Sequence, residues 1–203
     1  VLSQFRWIDG HADVWSVFRD PAALSEIVAA LAKPFRGSGV TTVAGIESRG
    51  FLLGGAVAVA MGVGFTAIRK QGAIFPGPKV RRVSSADYRG NETELLMQRA
   101  SLAPGDRVLL VDDWIETGSQ AAAAQSMIAE CGAMLVGVAV VIDGLPDDHV
   151  YKRQTAPCCR PYTGSCGRTP SRAARPRKRP LFRSLAARRA ACQSLWPGWS
   201  RRP

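Results

Sequence analysis

Apolar residues recur along the first three-quarters of the chain with two alternating periods. Leu24, Ile27, Val28 and Leu31 fall at helical spacing behind Asp20 and Pro21, which predicts a helix from about Pro21 to Lys33, N-capped by Asp20 with proline at its first position. GVTTVAGI, ending at Ile46, is a short β-branched run that leads into a Gly-containing turn. FLLGGAVAVAMG, from Phe51 to Gly62, then reads as a small-residue helix suited to close packing on a sheet. The alternation continues. VGFTAIRK (63–70) is a strand, DRVLLVDD (106–113) a fully apolar one ending in two acids, GSQAAAAQSMIAECG (118–132) a helix with a glycine stop, and AMLVGVAVVID (133–143) another buried strand. Strand and helix in turn imply an α/β fold: a mostly parallel central sheet with helices on both faces.

The alternation fails in two places. From Lys70 to Gly105 the chain is polar and punctuated by Pro and Gly, with one possible strand in TELLMQRASL (93–102); long stretches of this kind inside a domain are functional loops or disordered insertions, and the reading taken is a flexible hood over an active site. After about Val150 the apolar period stops, and no strand is recognisable beyond Asp143, which would leave a sheet edge open. Residues 151–203 hold seven of the 13 prolines, no acid and the run RAARPRKRP, so the chain divides into a folded domain at 1–150 and a basic tail at 151–203, expected to be disordered. A weak basic helix is conceivable at Leu181–Leu195. An abrupt shift to Arg/Pro/Cys-rich sequence is equally what out-of-frame translation of a GC-rich gene would produce.

Charge changes the picture only when divided along the chain. The net +11 suggests nucleic acid, yet residues 1–150 carry 13 Lys/Arg against 16 Asp/Glu, while 151–203 carry 14 Lys/Arg and no acid. Any binding to RNA, DNA or anionic lipid therefore falls to the tail. The longest apolar stretch, Phe51–Phe65, is Gly-rich and shorter than the roughly 20 residues of a bilayer span. VLSQFRWIDGHADVW does not read as a secretory signal, and four of five cysteines (Cys158, Cys159, Cys166, Cys192) sit in the tail without paired metal-site spacing, leaving only Cys131 in the domain. A soluble protein of the reducing cytoplasm is the expectation, with no metal ligated by side chains.

The chemistry concentrates in VLLVDDWIETGSQ, Val108–Gln120: a buried strand, adjacent carboxylates, a short loop and a helix start. Ligands of open α/β sheets lie outside the carboxyl ends of strands, and a Thr-Gly-Ser turn into a helix presents backbone N–H groups and a positive dipole end to a phosphate. Asp112 and Asp113 can accept hydrogen bonds from vicinal sugar hydroxyls while Thr117, Gly118 and Ser119 hold a monophosphate.

This stretch resembles the phosphoribosyl pyrophosphate signature of type I phosphoribosyltransferases. GIESRGFLLGGAVAVAMGVGFTAIRKQGAIFPG, Gly45–Gly77, is similar to the matching region of adenine phosphoribosyltransferases. The resemblance covers about Asp9 to Asp143 and implies the type I phosphoribosyltransferase fold with its hood. By position it implies that Glu47, Ser48, Arg49 and Gly50 form a turn cradling pyrophosphate, that Arg69 and Lys70 add positive charge, and that Asp112, Asp113 and Arg49 are catalytic. Glu116, Thr117, Gly118, Ser119 and Gln120 would bind the phosphate. Where the family usually has A-T-G-G-T, this chain has Glu116-Thr117-Gly118-Ser119-Gln120, adding a charge and replacing a hydroxyl. Where the family has F-R-D, with a ring that stacks on the base, it has His11-Ala12-Asp13; His11 is the candidate base contact, and Trp15 or Phe18 are core or stacking residues. The family's Glu-Tyr pair in the hood has a loose counterpart in Asp87-Tyr88.

The implied reaction is transfer of 5-phosphoribosyl from phosphoribosyl pyrophosphate to a nitrogenous base, a purine such as adenine, by a homodimer, with magnesium held mainly by substrate oxygens. Two alternatives stand beside it. One is a regulatory module that binds the sugar phosphate without turnover, and the other is nucleic-acid binding through the basic tail.

Overall fold

The computed structural model describes residues 6–8, 11–72, 74–87, 90–146, 148–153 and 155–159. Tyr88, Cys166, Cys192 and the helix expected at Leu181–Leu195 lie outside the described residues.

A hairpin of β1 (Arg6–Ile8) and β2 (His11–Asp13) precedes two helices, α1 (Trp15–Arg19) and α2 (Pro21–Ala32). The Asp20 carboxylate accepts the Ala23 N–H at 2.8 Å, and Pro21 opens α2 where its missing N–H costs nothing, as the sequence indicates. The repeating unit then begins: β3 (Thr42–Ile46), α3 (Arg49–Met61), β4 (Gly64–Lys70), a hairpin of β5 (Lys79–Val83) and β6 (Glu94–Gln98), β7 (Arg107–Ile115), α4 (Ser119–Glu130), β8 (Met134–Asp143) and β9 (Thr155–Cys159). The main sheet has the order β5-β6-β4-β3-β7-β8-β9. Strands β4, β3, β7, β8 and β9 run parallel, and β6 and β5 are added antiparallel beyond β4.

Strand alternation divides the buried side chains between the two faces. Val43, Leu109 and Val111 join Val17, Ile27, Leu31, Leu53 and Val57 in a core under α1, α2 and α3. Ala44, Ile46, Val108 and Leu110 join Met97, Met127 and Ile128 in the core under α4. The strands are therefore apolar on both sides, which is why they read as continuous runs rather than as alternation.

Two expectations change. The possible strand at 93–102 is present as β6, and the stretch from Lys70 to Gly105 holds a second strand that was not expected: β5 pairs with β6 from Lys79–Gln98 to Val83–Glu94, and Leu95, Leu96 and Met97 are buried. The partner strand β5, KVRRV, is basic because one side faces solvent, so it carried no clear period. The sheet also does not end at β8. Thr155–Cys159 adds β9 in parallel, with Pro157 opposite Val140, a residue tolerated because β9 is an edge strand. Cys158 and Cys159 thus belong to the sheet. Among the described residues no helix is long and apolar enough to cross a membrane.

Candidate active site

Three neighbouring parallel strands, β4, β3 and β7, bring their C-terminal ends to one side of the sheet. Helix α3 leaves β3 for one face and α4 leaves β7 for the other, so the crevice between β3 and β7 is the switch point where ligands of such sheets bind.

The first wall of the crevice is the turn Glu47-Ser48, joined by a cis peptide and followed directly by Arg49 at the start of α3. Backbone lies against backbone here. A Cβ on Gly45 would stand 2.2 Å from the Gly50 carbonyl oxygen, and one on Gly50 would stand 3.0 Å from the Val111 carbonyl oxygen and 3.3 Å from Asp112 Oδ1. Glycine at 45 and 50 is what lets the N-terminus of α3 descend onto the ends of β3 and β7. Arg49 Nε consequently lies 2.8 Å from Asp113 Oδ2. A pair of Arg49 with Glu47, the alternative suggested by their closeness in sequence, does not form. Glu47 Oε2 instead accepts the Lys70 N–H at 3.0 Å, and both carboxylate oxygens take Arg69 guanidinium contacts at 3.4 Å. The Lys70 amide first, then Arg69, holds the Glu47 carboxyl below its usual value. The Arg69 guanidinium is also 5.9 Å from the Phe75 ring centroid.

The second wall is β7. Asp112 and Asp113 lie within the strand, which runs on to Ile115 and pairs there with β8, instead of marking its end. Asp113 is 4% exposed, and its N–H donates to Asp112 Oδ1 at 2.9 Å. Burial, reinforced by the neighbouring Asp113 carboxylate, pushes the Asp112 carboxyl well above the usual 3.8. Two acids, one of them reluctant to ionise and the other paired with an arginine, make a site that attracts cations and hydroxyl donors.

The floor is the loop Glu116-Thr117-Gly118-Ser119-Gln120 at the start of α4. Gly118 has φ +71°, a left-handed turn that glycine adopts without strain, and its carbonyl oxygen accepts the Ala122 N–H of the first helical turn. Thr117 Oγ1 donates to Ser119 Oγ at 3.0 Å and accepts the Ser119 N–H at 3.3 Å. Glu116 and Thr117 are exposed, and Ser119 and Gln120 half-buried. The orphan N–H groups of the first turn of α4 point out of the helix start, an arrangement able to receive an anion.

Strand and helix ends thus assemble Glu47, Ser48, Arg49, Gly50, Arg69, Lys70, Asp112, Asp113 and residues 116–120 along one side of the sheet. The remaining candidates stand apart. His11 opens β2, and its side chain lies outside the described residues. Phe18 is buried in the α1–α3 core and Trp15 is 54% exposed with its ring edge-on to Phe18, so only Phe18 is core. Asp87 Oδ1 accepts the Asn91 N–H within the β5–β6 loop. Sequence reading missed two residues: His149 and Tyr151 pack onto Gly118, with His149 Cε1 2.8 Å and Tyr151 Cδ2 3.2 Å from where a Cβ there would lie. Nothing in the aperiodic stretch after Asp143 signals that contact.

Residues 15–154 match the phosphoribosyl transferase domain, well over half the chain. The chain belongs to the phosphoribosyltransferase family. It is similar to adenine phosphoribosyltransferases of Rhizobium leguminosarum bv. trifolii, 42% identical over 135 residues that cover 66% of this chain and 72% of the relative, and of Frankia casuarinae, 43% identical over 131 residues, covering 64% and 68%. The crystal structure of adenine phosphoribosyltransferase from Rhodothermus marinus superposes with a TM-score of 0.65 at 33% identity, over 70% of this chain and 83% of that one. That of the Saccharomyces cerevisiae enzyme, complexed with an imino-altritol bisphosphate and adenine, gives 0.60 at 31% identity, over 66% and 76%. The type I phosphoribosyltransferase fold expected from the signature is therefore the fold found, and the chain is a pentosyl-transferring enzyme of the adenine phosphoribosyltransferase type.

Proposed function

We propose that this phosphoribosyltransferase moves the 5-phosphoribosyl group of phosphoribosyl pyrophosphate onto a ring nitrogen of adenine, forming the nucleoside monophosphate and releasing pyrophosphate. The observation that carries this reading is the convergence of the Arg49–Asp113 pair, the Asp112 carboxyl and the Thr117–Gln120 anion cradle at neighbouring ends of β3 and β7. One sugar phosphate matches both the spacing and the charge: acids for the ribose hydroxyls, a helix start for the 5-phosphate and cations for the pyrophosphate.

In the reaction the bond from ribose C1 to pyrophosphate oxygen breaks, a bond from C1 to the base nitrogen forms, and the base loses a proton. Positive character develops on the sugar and negative charge on the leaving group. Asp112 and Asp113 hold the ribose hydroxyls and face the developing positive charge. Arg49, Arg69, Lys70 and the amides around Ser48 and Gly50 take the pyrophosphate. Glu47 fixes Arg69 and the Lys70 backbone in place. Thr117, Gly118, Ser119 and Gln120 anchor the 5-phosphate, and Glu116 at the mouth of the loop weakens that anchor electrostatically.

Magnesium is the cofactor in this reading. The residues present fit: magnesium would be held mainly by pyrophosphate and ribose oxygens, and the neighbouring Asp112 and Asp113 carboxylates are hard oxygen groups beside them. The chemistry magnesium supplies when bound is charge neutralisation on the departing pyrophosphate. A homodimer of the cytoplasm completes the proposal. Leu52 and Val59, two turns apart on α3, are 42% and 83% exposed, an apolar stripe suited to a second copy, and the buried free thiol of Cys131 suits a reducing compartment.

The test is pyrophosphate release from phosphoribosyl pyrophosphate and magnesium with a panel of bases, with the nucleotide product resolved by chromatography. Adenine is expected to give a stoichiometric monophosphate. A folded chain that turns over no base in the panel would leave the sugar-phosphate-binding module as the reading.

A further inference from the structure

Beyond β8 the chain returns to the phosphate loop. His149 Nδ1 accepts the Tyr151 backbone N–H at 3.2 Å, so in the neutral ring the proton sits on Nε2. The imidazole stacks on the Tyr151 ring at 5.7 Å between centroids and 28° between planes, and the Tyr151 hydroxyl is hydrogen-bonded to Gln125 of α4. The ring is therefore held by two connections to its surroundings. It is held against the loop: Nε2 lies 3.3 Å from the position a Cβ of Gly118 would take. The half-buried imidazole has, among the described residues, no protein acceptor for its Nε2–H.

The loop it faces is short of positive charge. Residues Glu116–Gln120 include no Lys or Arg and one carboxylate, so a phosphate there depends on neutral donors: the backbone N–H groups and the Thr117 and Ser119 hydroxyls. A tautomer-fixed N–H at the edge of that cradle adds a donor where the loop is weakest.

We infer that His149 is a further substrate-binding residue of this enzyme, its Nε2–H donating to the 5-phosphate of the ribose held on the Thr117–Gln120 loop. The inference rests on the phosphate placement proposed above, and its test is separate. Ribose 5-phosphate is titrated calorimetrically into the full chain and into two variants whose folding is followed by thermal melting. His149→Phe keeps a ring to stack on Tyr151 and fill the space beside Gly118 but has no donor, whereas His149→Gln keeps an N–H donor without the ring.

The Phe variant is expected to bind about tenfold more weakly, the usual effect of one hydrogen bond to a charged group, and the Gln variant to stay within about threefold of wild type. A Phe variant that binds as tightly as wild type, or a Gln variant that loses as much as Phe, overturns the inference in favour of packing alone. Wild-type protein gives a second, mutation-free readout. In nitrogen-labelled chain, which has only two histidines, saturation with ribose 5-phosphate should shift the His149 Nε2–H resonance; an unmoved resonance in a saturated sample overturns the inference too. Pyrophosphate release by wild type alongside an unaffected Phe variant would remove the role of His149 and leave the proposed reaction standing. A wild type that neither turns over nor binds ribose 5-phosphate would remove both.

Discussion

The two halves of the crevice are built on different physics. At the turn after β3, backbone presses on backbone through Gly45 and Gly50, and full charges meet within the fold itself: Arg49 with Asp113, Glu47 with Arg69 and the Lys70 amide. At the start of α4, the loop Glu116–Gln120 is held by a left-handed glycine, a hydroxyl-to-hydroxyl contact and the rings of His149 and Tyr151, with no cation of its own. The first half is organised by the fold before substrate arrives, so altering it should cost chemistry and folding together. The second has no cation and makes no ion pair among the described residues, so altering its hydroxyls should cost binding alone.

The contrast is broken most forcefully at the acid pair. Asp113→Ala leaves Arg49 without its partner and removes a carboxylate facing the sugar; a fall of about a hundred- to a thousandfold in kcat/KM is expected in steady-state pyrophosphate release, the scale of losing one transition-state contact. Gly45→Ala tests the close approach. With its Cβ 2.2 Å from the Gly50 carbonyl oxygen, the turn must move, and urea unfolding should show a loss of about 3 kcal/mol. Gly55→Ala, in the middle of α3 with nothing within 4 Å, is the control and should gain about 0.5–1 kcal/mol. On the other side, Ser119→Ala should raise KM for phosphoribosyl pyrophosphate about tenfold with kcat and melting temperature nearly unchanged. Loss of folding there would erase the distinction.

Smaller effects sharpen it through pH. The folded Asp112 carboxyl is raised above its unfolded value, so the folded state holds the extra proton, and stability falls as pH rises from about the usual 3.8 through the folded value. Asp112→Asn should therefore melt higher than wild type at neutral pH while losing activity, a separation of stability from function visible in paired melting and rate measurements. Glu47 has the opposite sign. Its folded value lies below the usual 4.5, so its contribution is complete above that pH and is lost as pH falls through the folded value. Glu47→Gln should flatten the acid limb of the stability curve below about pH 4.5.

The same contrast explains what could be read from the chain. The apolar runs at 43–46, 108–111 and 137–141 are buried on both faces, a demand strong enough to write the parallel sheet into the sequence. Acid pair, Thr-Gly loop and Glu-Ser-Arg-Gly turn are local strings, so the residues that the ends of β3, β4 and β7 bring together were legible as motifs. What was not legible depends on tertiary approach. The Arg49–Asp113 pair joins residues 64 apart, and Glu47 prefers Arg69 over its near neighbour in sequence because β3 and β4 run side by side. The β5 strand is basic and half-solvated, β9 carries a proline at the sheet edge, and His149 follows an aperiodic loop; none of these has a periodic signal to find.

The most direct test of the central claim, that the ends of β3 and β7 form a phosphoribosyl pyrophosphate site, is calorimetric titration of that compound with magnesium into the full chain and into Asp112→Asn/Asp113→Asn. Saturable binding by wild type that is lost in a double variant whose melting transition shows it to be folded is the expected result. Equal binding by both, or none by a folded wild type, would contradict it.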